Sequence, residues 1–172
     1  METLKKDYLL SGIKVIDAAS FIAGPSAATI MSDYGAEVIK IEPQNGDSLR
    51  NLITNGRMPE GPENYCWELT SRNKKSVSLN LKDEKAHNIL IDLIKEADVF
   101  ITNMPFPIRK KLKITSDDIR PHNAKLIYAS LTGYGEVGPD ADRTAYDSVA
   151  WWARSGLMDF VRPSNNSPVA WS

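Results

Sequence analysis

At 172 residues the chain is long enough to bury a core, and 42% apolar with 25% charged residues is ordinary for a globular protein. A net charge of −1 provides no overall field for nucleic acid or an anionic membrane, and no apolar run approaches membrane-spanning length. Cys66 is the single cysteine, so no internal disulfide can form, which suits a reducing cytoplasm; with two histidines it makes no zinc spacing.

Residues 1–10 read as a loose or partly helical lead-in, and METLKKDYLLSG lacks the apolar core and cleavage-like site of a signal peptide. Val15 and Ile16 leading into Asp17 predict a buried strand. Gly24-Pro25 then punctuates the chain. Pro25 suits the first turn of a helix that continues through Ala27, Ala28, Ile30 and Met31 and stops at Gly35. Val38, Ile39 and Ile41 predict a second strand. Together these make a β–loop–α–β unit with an open loop after its first strand, where ligands bind in parallel α/β sheets.

From Pro43 to Asn64 the chain is rich in Gly, Pro, Asn and charge and reads as a long loop, with a helical turn near Leu49. Tyr65 to Thr70 reads as a short helix or extended piece. Ser76 to Asn80 alternates as a strand does. Ile89, Leu90, Leu93 and Ile94 give Lys82 to Glu96 one apolar helical stripe. Val99 to Thr102 predicts a buried strand. Short helices are expected at Ile108 to Leu112 and Ser116 to Arg120, the latter capped by Ser116. Leu126 to Ser130 is the next strand, and Tyr146 to Ser155 a helix. The alternation predicts an α/β fold: a Rossmann-like parallel sheet flanked by helices, forming a single domain over 1–172.

Neither a G-x-G-x-x-G after the first strand nor a P-loop is present, so nicotinamide and ATP find little support. The small, apolar loop Ala18 to Gly24 has two readings. It could present backbone N–H groups to a developing oxyanion, or it could be ordinary strand-to-helix packing. Asn73-Lys74-Lys75 is either a phosphate grip or a solvated basic turn. In the segment Asn103 to Lys111, Met104 and Phe106 could flank a ring while Arg109, Lys110 and Lys111 grip phosphates; the alternative is a loop with an exposed helix. Gly133-Tyr134-Gly135 permits close backbone approach to a ligand, though such turns are common. Trp151, Trp152 and Trp171 could shape a pocket for a bulky acyl group or serve as core or subunit contacts.

Five segments in order carry a family resemblance: Gly12 to Glu42; Asn73-Lys74-Lys75-Ser76; Ala97-Asp98-Val99 running to Asn103; Leu126 to Ser130; and Gly133-Tyr134-Gly135 with Gly138-Pro139. Over roughly residues 11–160 the chain resembles the N-terminal part of the large domain of the class III CoA-transferases, the family of formyl-CoA transferase and carnitine CoA-transferase. Phe106-Pro107 stands where the family has Pro-Gly, and Pro43 where some relatives carry an Arg. Transferases of aromatic or branched 2-hydroxy acids look similar in the tryptophan segment.

The resemblance implies transfer of CoA between an acyl-CoA thioester and a carboxylic acid through a nucleophilic Asp. CoA is then a substrate, and no cofactor is permanently bound. It implies an active-site loop at Phe21, Ile22 and Ala23, joined by Tyr146 and Asp147. It implies CoA contacts at Asn73, Lys75, Asn103, Met104, Lys111, Gly133 and Tyr134. Family members are more than twice as long, so the chain reads as an N-terminal piece. Its nucleophilic Asp is expected a few residues beyond Ser172, leaving the piece inactive alone. The whole protein is expected to be an interlocked homodimer. Two alternatives stand beside this reading. One is an acyl-CoA racemase of the same superfamily, which has His-Asp where this chain has Tyr146-Asp147; a neutral phenol is a poor base at neutral pH. The other is a non-catalytic CoA-binding piece.

Overall fold

The computed structural model of the chain describes residues 8–53, 59, 61–162 and 167. They form two compact units, Met1–Met104 with Ile108–Leu131, and Pro105–Pro107 with Thr132–Ser172.

The first unit is built on five parallel strands in the order β3-β2-β1-β4-β5: β1 (Lys14–Asp17), β2 (Glu37–Glu42), β3 (Lys74–Ser78), β4 (Val99–Thr102) and β5 (Ile127–Ser130). Strand order reverses between β1 and β4, which makes their carboxyl ends the topological switch point. The helices are α1 (Ala23–Asp33), α2 (Tyr65–Ser71), α3 (Glu84–Lys95), α4 (Phe106–Leu112) and the single turn α5 (Ser116–Ile119). One apolar layer joins Ile16, Ile41 and Phe100 to Leu90 and Ile94 of α3 and to Ile114 and Ile119. Val15, Val38, Val99 and Ile101 face the other way and pack with Ala28 of α1. Consecutive strand residues thus feed opposite layers, as the pleat requires, and both faces are covered. This is the expected Rossmann-like α/β architecture.

Local chemistry sets the helix ends. Gly35 sits at φ 97, Ala36 N–H reaches the Met31 carbonyl at 3.0 Å and Gly35 N–H the Ser32 carbonyl at 3.0 Å, a Schellman stop for α1. At the front of α3, Asp83 Oδ1 accepts from Lys85 and Ala86 N–H.

Several boundaries differ from the sequence expectation. β3 runs from Lys74 rather than Ser76, because the Lys74 ammonium finds a buried carboxylate and need not leave the sheet. Thr115, not Ser116, caps α5: Thr115 has extended backbone, and a capping box pairs it with Asp118. The expected turn near Leu49 is a 3₁₀ turn over Ser48–Asn51, capped by Asp47. In the second unit the expected helix is a π-helical segment, Ser148–Ala153, in which Arg154 N–H reaches back five residues to the Val149 carbonyl. A further turn, α6, spans Leu157–Phe160.

Candidate functional site

Period-two alternation places Asp17 of β1, Lys40 and Glu42 of β2, and Lys74 and Ser76 of β3 on one face of the sheet. Asp17 is fully buried, and the Lys40 and Lys74 side chains are 1% exposed. Charges so deeply desolvated persist only if paired. Lys74 Nζ lies 2.9 Å from Asp17 Oδ2 and also donates to the carbonyls of Pro25 and Thr70. Burial pushes its ammonium below the usual lysine range, and Asp17 opposes that shift. Lys40 Nζ is 3.1 Å from Asp47 and 3.7 Å from Asp17. Burial pushes the Glu42 carboxyl up, but bonds from Arg50, Ser76 and Asp47 N–H outweigh it and hold the group down at about 2. The Arg50 guanidinium lies 3.5 Å over the ring of Trp67, and Lys40 Nζ is 5.8 Å from the same ring.

This network grips the loop after β1. Ala19 donates to Asp17 Oδ1 at 3.1 Å, and its carbonyl accepts from Lys40 Nζ at 2.9 Å. Ser20 N–H bonds Asn103 Oδ1, and the Ser20 carbonyl bonds Asn103 Nδ2, both at 2.8 Å. Phe21 N–H reaches Asp47 Oδ1 at 3.2 Å. Phe21 stands at φ 66, in the left-handed region that a Phe rarely enters. Gly24 follows where a Cβ would meet Ala19 Cβ at 2.3 Å, so only glycine lets α1 start this close to β1. The N–H groups of residues 19–21 are therefore already engaged. The donors left at this loop are those of Ile22, Ala23 and Gly24, which have no acceptor within the helix.

Beside the loop lies a cavity of about 570 Å³ over the carboxyl ends of β2 and β3. Ile41, Leu79, Leu81, Met104 and Leu112 supply apolar walls; Ser20, Gln44, Asn45, Asn80 and Lys82 supply polar groups. The size and lining are those of a small-molecule site. Its carboxylates, Glu42 and Asp47, are neutralised by Arg50 and Lys40. Lys82 is its exposed cation.

The structure gathers Phe21, Ile22, Ala23, Asn103 and Met104 at this end of the first unit. Lys111 is exposed on α4. Asn73 and Lys75 are engaged elsewhere: Asn73 donates to Asp33, and Lys75 pairs with Glu37 at 2.6 Å. Within that triplet the inward cation is Lys74. Arg109 is buried, donating to the Met104 carbonyl and Ser130 Oγ, rather than displayed for phosphate. Sequence reading passed over Lys82 because it opens an amphipathic segment, where a lysine looks like solvated surface. Its only signal was its place after a strand.

The second unit carries Gly133, Tyr134, Tyr146 and Asp147. Gly133 packs against Ala145, and Asp147 caps Ser148 N–H. A cavity of about 620 Å³ is lined by Tyr134, Asp142, Arg143, Thr144, Val149 and Arg154. The Arg154 guanidinium lies 4.9 Å from the Tyr134 ring, and Arg143 and Arg154 share Asp140. Tyr146 is exposed. The rings of Trp151 and Trp152 are 6.0 Å apart; Trp171 lies outside the described residues. Among the described residues no cluster suits a metal ion, and no helix is long and apolar enough to cross a membrane.

The sequence profile of CoA-transferase family III matches residues 10–172. The chain is 41% identical over 162 residues to the (R)-2-hydroxy-4-methylpentanoate CoA-transferase of Clostridioides difficile, covering 94% of the chain and 41% of that protein. It is 42% identical to the cinnamoyl-CoA:phenyllactate CoA-transferase of Clostridium sporogenes, covering 93% and 39%. It is 41% identical to the human succinyl-CoA:glutarate CoA-transferase, covering 93% and 36%. The chain thus spans about two fifths of the length of these relatives. Among solved structures it superposes on Rv3272 of Mycobacterium tuberculosis with a TM-score of 0.84 at 32% identity, covering 95% of the chain and 44% of that structure. A CAIB/BAIF family protein of Brucella suis gives 0.80 at 29%, covering 95% and 43%.

Proposed function

The chain belongs to CoA-transferase family III, and from that premise we propose that the protein carrying it moves CoA from an acyl-CoA thioester to a carboxylic acid. The observation that carries the site assignment is the cavity over β2 and β3, with apolar walls, amide side chains and Lys82 at its edge. An adenine ring suits the apolar walls, and anionic phosphates suit a lysine point charge. The cation proposed for CoA here is Lys82, with Lys111 next to the cavity-lining Leu112 on α4, rather than Lys75. The acyl end is proposed to reach the loop at Phe21, Ile22 and Ala23, where the first N–H groups of α1 would stabilise the oxyanion formed at the thioester carbon.

The proposed chemistry uses an aspartate beyond Ser172. Its carboxylate oxygen attacks the thioester carbon, the C–S bond breaks, and CoA thiolate leaves an acyl–aspartyl anhydride. The thiolate then attacks the aspartyl carbon, forming an aspartyl-CoA thioester and releasing the donor acid. The acceptor carboxylate attacks that thioester, giving a new anhydride and thiolate. Thiolate attack on the acceptor's acyl carbon yields the new acyl-CoA and restores the aspartate. On this reading residues 1–172 alone turn over no substrate, and the whole protein is an interlocked homodimer in the cytoplasm. The relatives' names span branched, aromatic and dicarboxylic acids, so the proposal extends to the reaction and leaves the acid to assay.

The test is intact mass of the full-length protein after incubation with an acyl-CoA and hydroxylamine, followed by peptide mapping. A hydroxamate on an aspartate shortly after Ser172 supports the mechanism. Absence of the adduct, with CoA binding demonstrated, rejects it.

A further inference from the structure

The loop that the transferase reading places at the acyl end is held mainly by side chains reaching in from other elements. Five main-chain groups on residues 19–21 bond Asp17, Lys40, Asp47 and Asn103. These come from the ends of β1 and β4, from the middle of β2 and from the turn after it. These bonds satisfy the buried backbone groups and at the same time fix the loop to three strands and the turn after β2.

We infer that Lys40, Asp47 and Asn103 are positioning residues for acyl transfer. They fix residues 19–21 and hold Phe21 in left-handed backbone, so that the N–H groups of Ile22, Ala23 and Gly24 are aimed before substrate arrives. This inference rests on the transferase reading for its consequence and on hydrogen-bond geometry for its cause.

Three features make the clamp rigid. The Lys40 ammonium is desolvated and anchored by two carboxylates, so its bond to the Ala19 carbonyl cannot drift with a solvated side chain. Asn103 takes both polar groups of Ser20, which fixes the orientation of that residue as well as its distance. Asp47 Oδ1 accepts from both Phe21 and Leu49, tying the loop to the 3₁₀ turn after β2. Phe21 outside this clamp would gain roughly 1 kcal/mol by returning to negative φ. That return would rotate the following peptide and redirect the Ile22 N–H. The clamp therefore holds a geometry the loop would otherwise leave.

The experiment uses the full-length protein with Asn103→Ala, a half-buried change that leaves the charged network intact. Asn103→Asp, which keeps an acceptor for Ser20 N–H but loses the donor to its carbonyl, is the second variant. Amide hydrogen exchange over residues 20–22 and steady-state kinetics with an acyl-CoA are measured together. The expected result is exchange faster by tenfold or more, with kcat lower by about ten- to a hundredfold and KM within about threefold, since misplacing a reacting group by an ångström has that effect. Unchanged exchange in both variants overturns the clamp. Faster exchange with unaltered kcat, or with kcat and KM worsening together, overturns the positioning role. If the wild-type protein binds acyl-CoA yet transfers none, the transferase reading fails and the exchange result alone decides the clamp.

Discussion

Asn103 grips Ser20 by both of its main-chain polar groups, accepting from the N–H and donating to the carbonyl at 2.8 Å each. Ser20 follows β1 and Asn103 follows β4, so this pair bridges the sheet at its topological switch point. Open α/β sheets commonly bind ligands in the crevice there. In this chain the bridge stands at that point, and the cavity over β2 and β3 reaches it through Ser20 and Met104.

Lys82→Ala in the full-length protein should weaken CoA about three- to tenfold, as expected for one exposed cation on a phosphate, with the effect shrinking at high salt. Lys75→Ala should leave affinity within twofold, because Lys75 is tied to Glu37. Isothermal titration with CoA distinguishes the two. A larger loss from Lys75 would move the phosphate grip away from the cavity.

Glu42 makes stability fall in acid. Its folded carboxyl is held at about 2 against an ordinary 4.5. A depressed carboxylate contributes stability that is present above its unfolded value and lost as pH falls through the window from 4.5 toward about 2. The gap corresponds to about 3 kcal/mol at neutral pH. Urea unfolding of wild type and Glu42→Gln at pH 6 and pH 3 should show their difference shrinking at pH 3. A constant difference would mean Glu42 is not the group responsible.

Removing the Lys74 ammonium leaves buried Asp17 with the more distant Lys40, 3.7 Å away, as its cation. Lys74→Met should destabilise by about 3–5 kcal/mol, the usual effect of breaking a buried pair. The double variant Asp17→Asn with Lys74→Met should be more stable than the sum of the singles predicts, by 1 kcal/mol or more. Additive losses in urea unfolding would show that the pair is not coupled.

Gly24→Ala should lower stability by about 1–3 kcal/mol, because its methyl group would overlap Ala19 Cβ. The overlap pushes α1 away from β1. Ser26→Ala, two residues on in the same helix, serves as the control. A melting temperature unchanged by Gly24→Ala would refute the close approach.

The strand–helix–strand opening was legible because its signals are local. Val15 and Ile16 are apolar together, and Gly35 is the residue a Schellman stop needs. The alternating Asp17, Lys40, Lys74 set was not legible, since a buried charge looks like surface until the register brings its partners to it. Lys75 was singled out in its triplet by the resemblance alone, since nothing in Asn-Lys-Lys says which lysine points inward. Lys82 was hidden by the helix it precedes, and Arg109 by its two lysine neighbours. The π-helical segment after Asp147 carries no sequence mark that separates it from an α-helix.

Trp67 sits beneath the Arg50 guanidinium at 3.5 Å, and Arg50 is bonded to Glu42. The other three tryptophans are Trp151 and Trp152, in the second unit, and Trp171. Replacing those three with phenylalanine would leave one native fluorophore stacked on the charged network. Its emission would then act as an optical gauge: protonating Glu42 loosens Arg50 from the indole, and the colour of the light reports it without any attached dye.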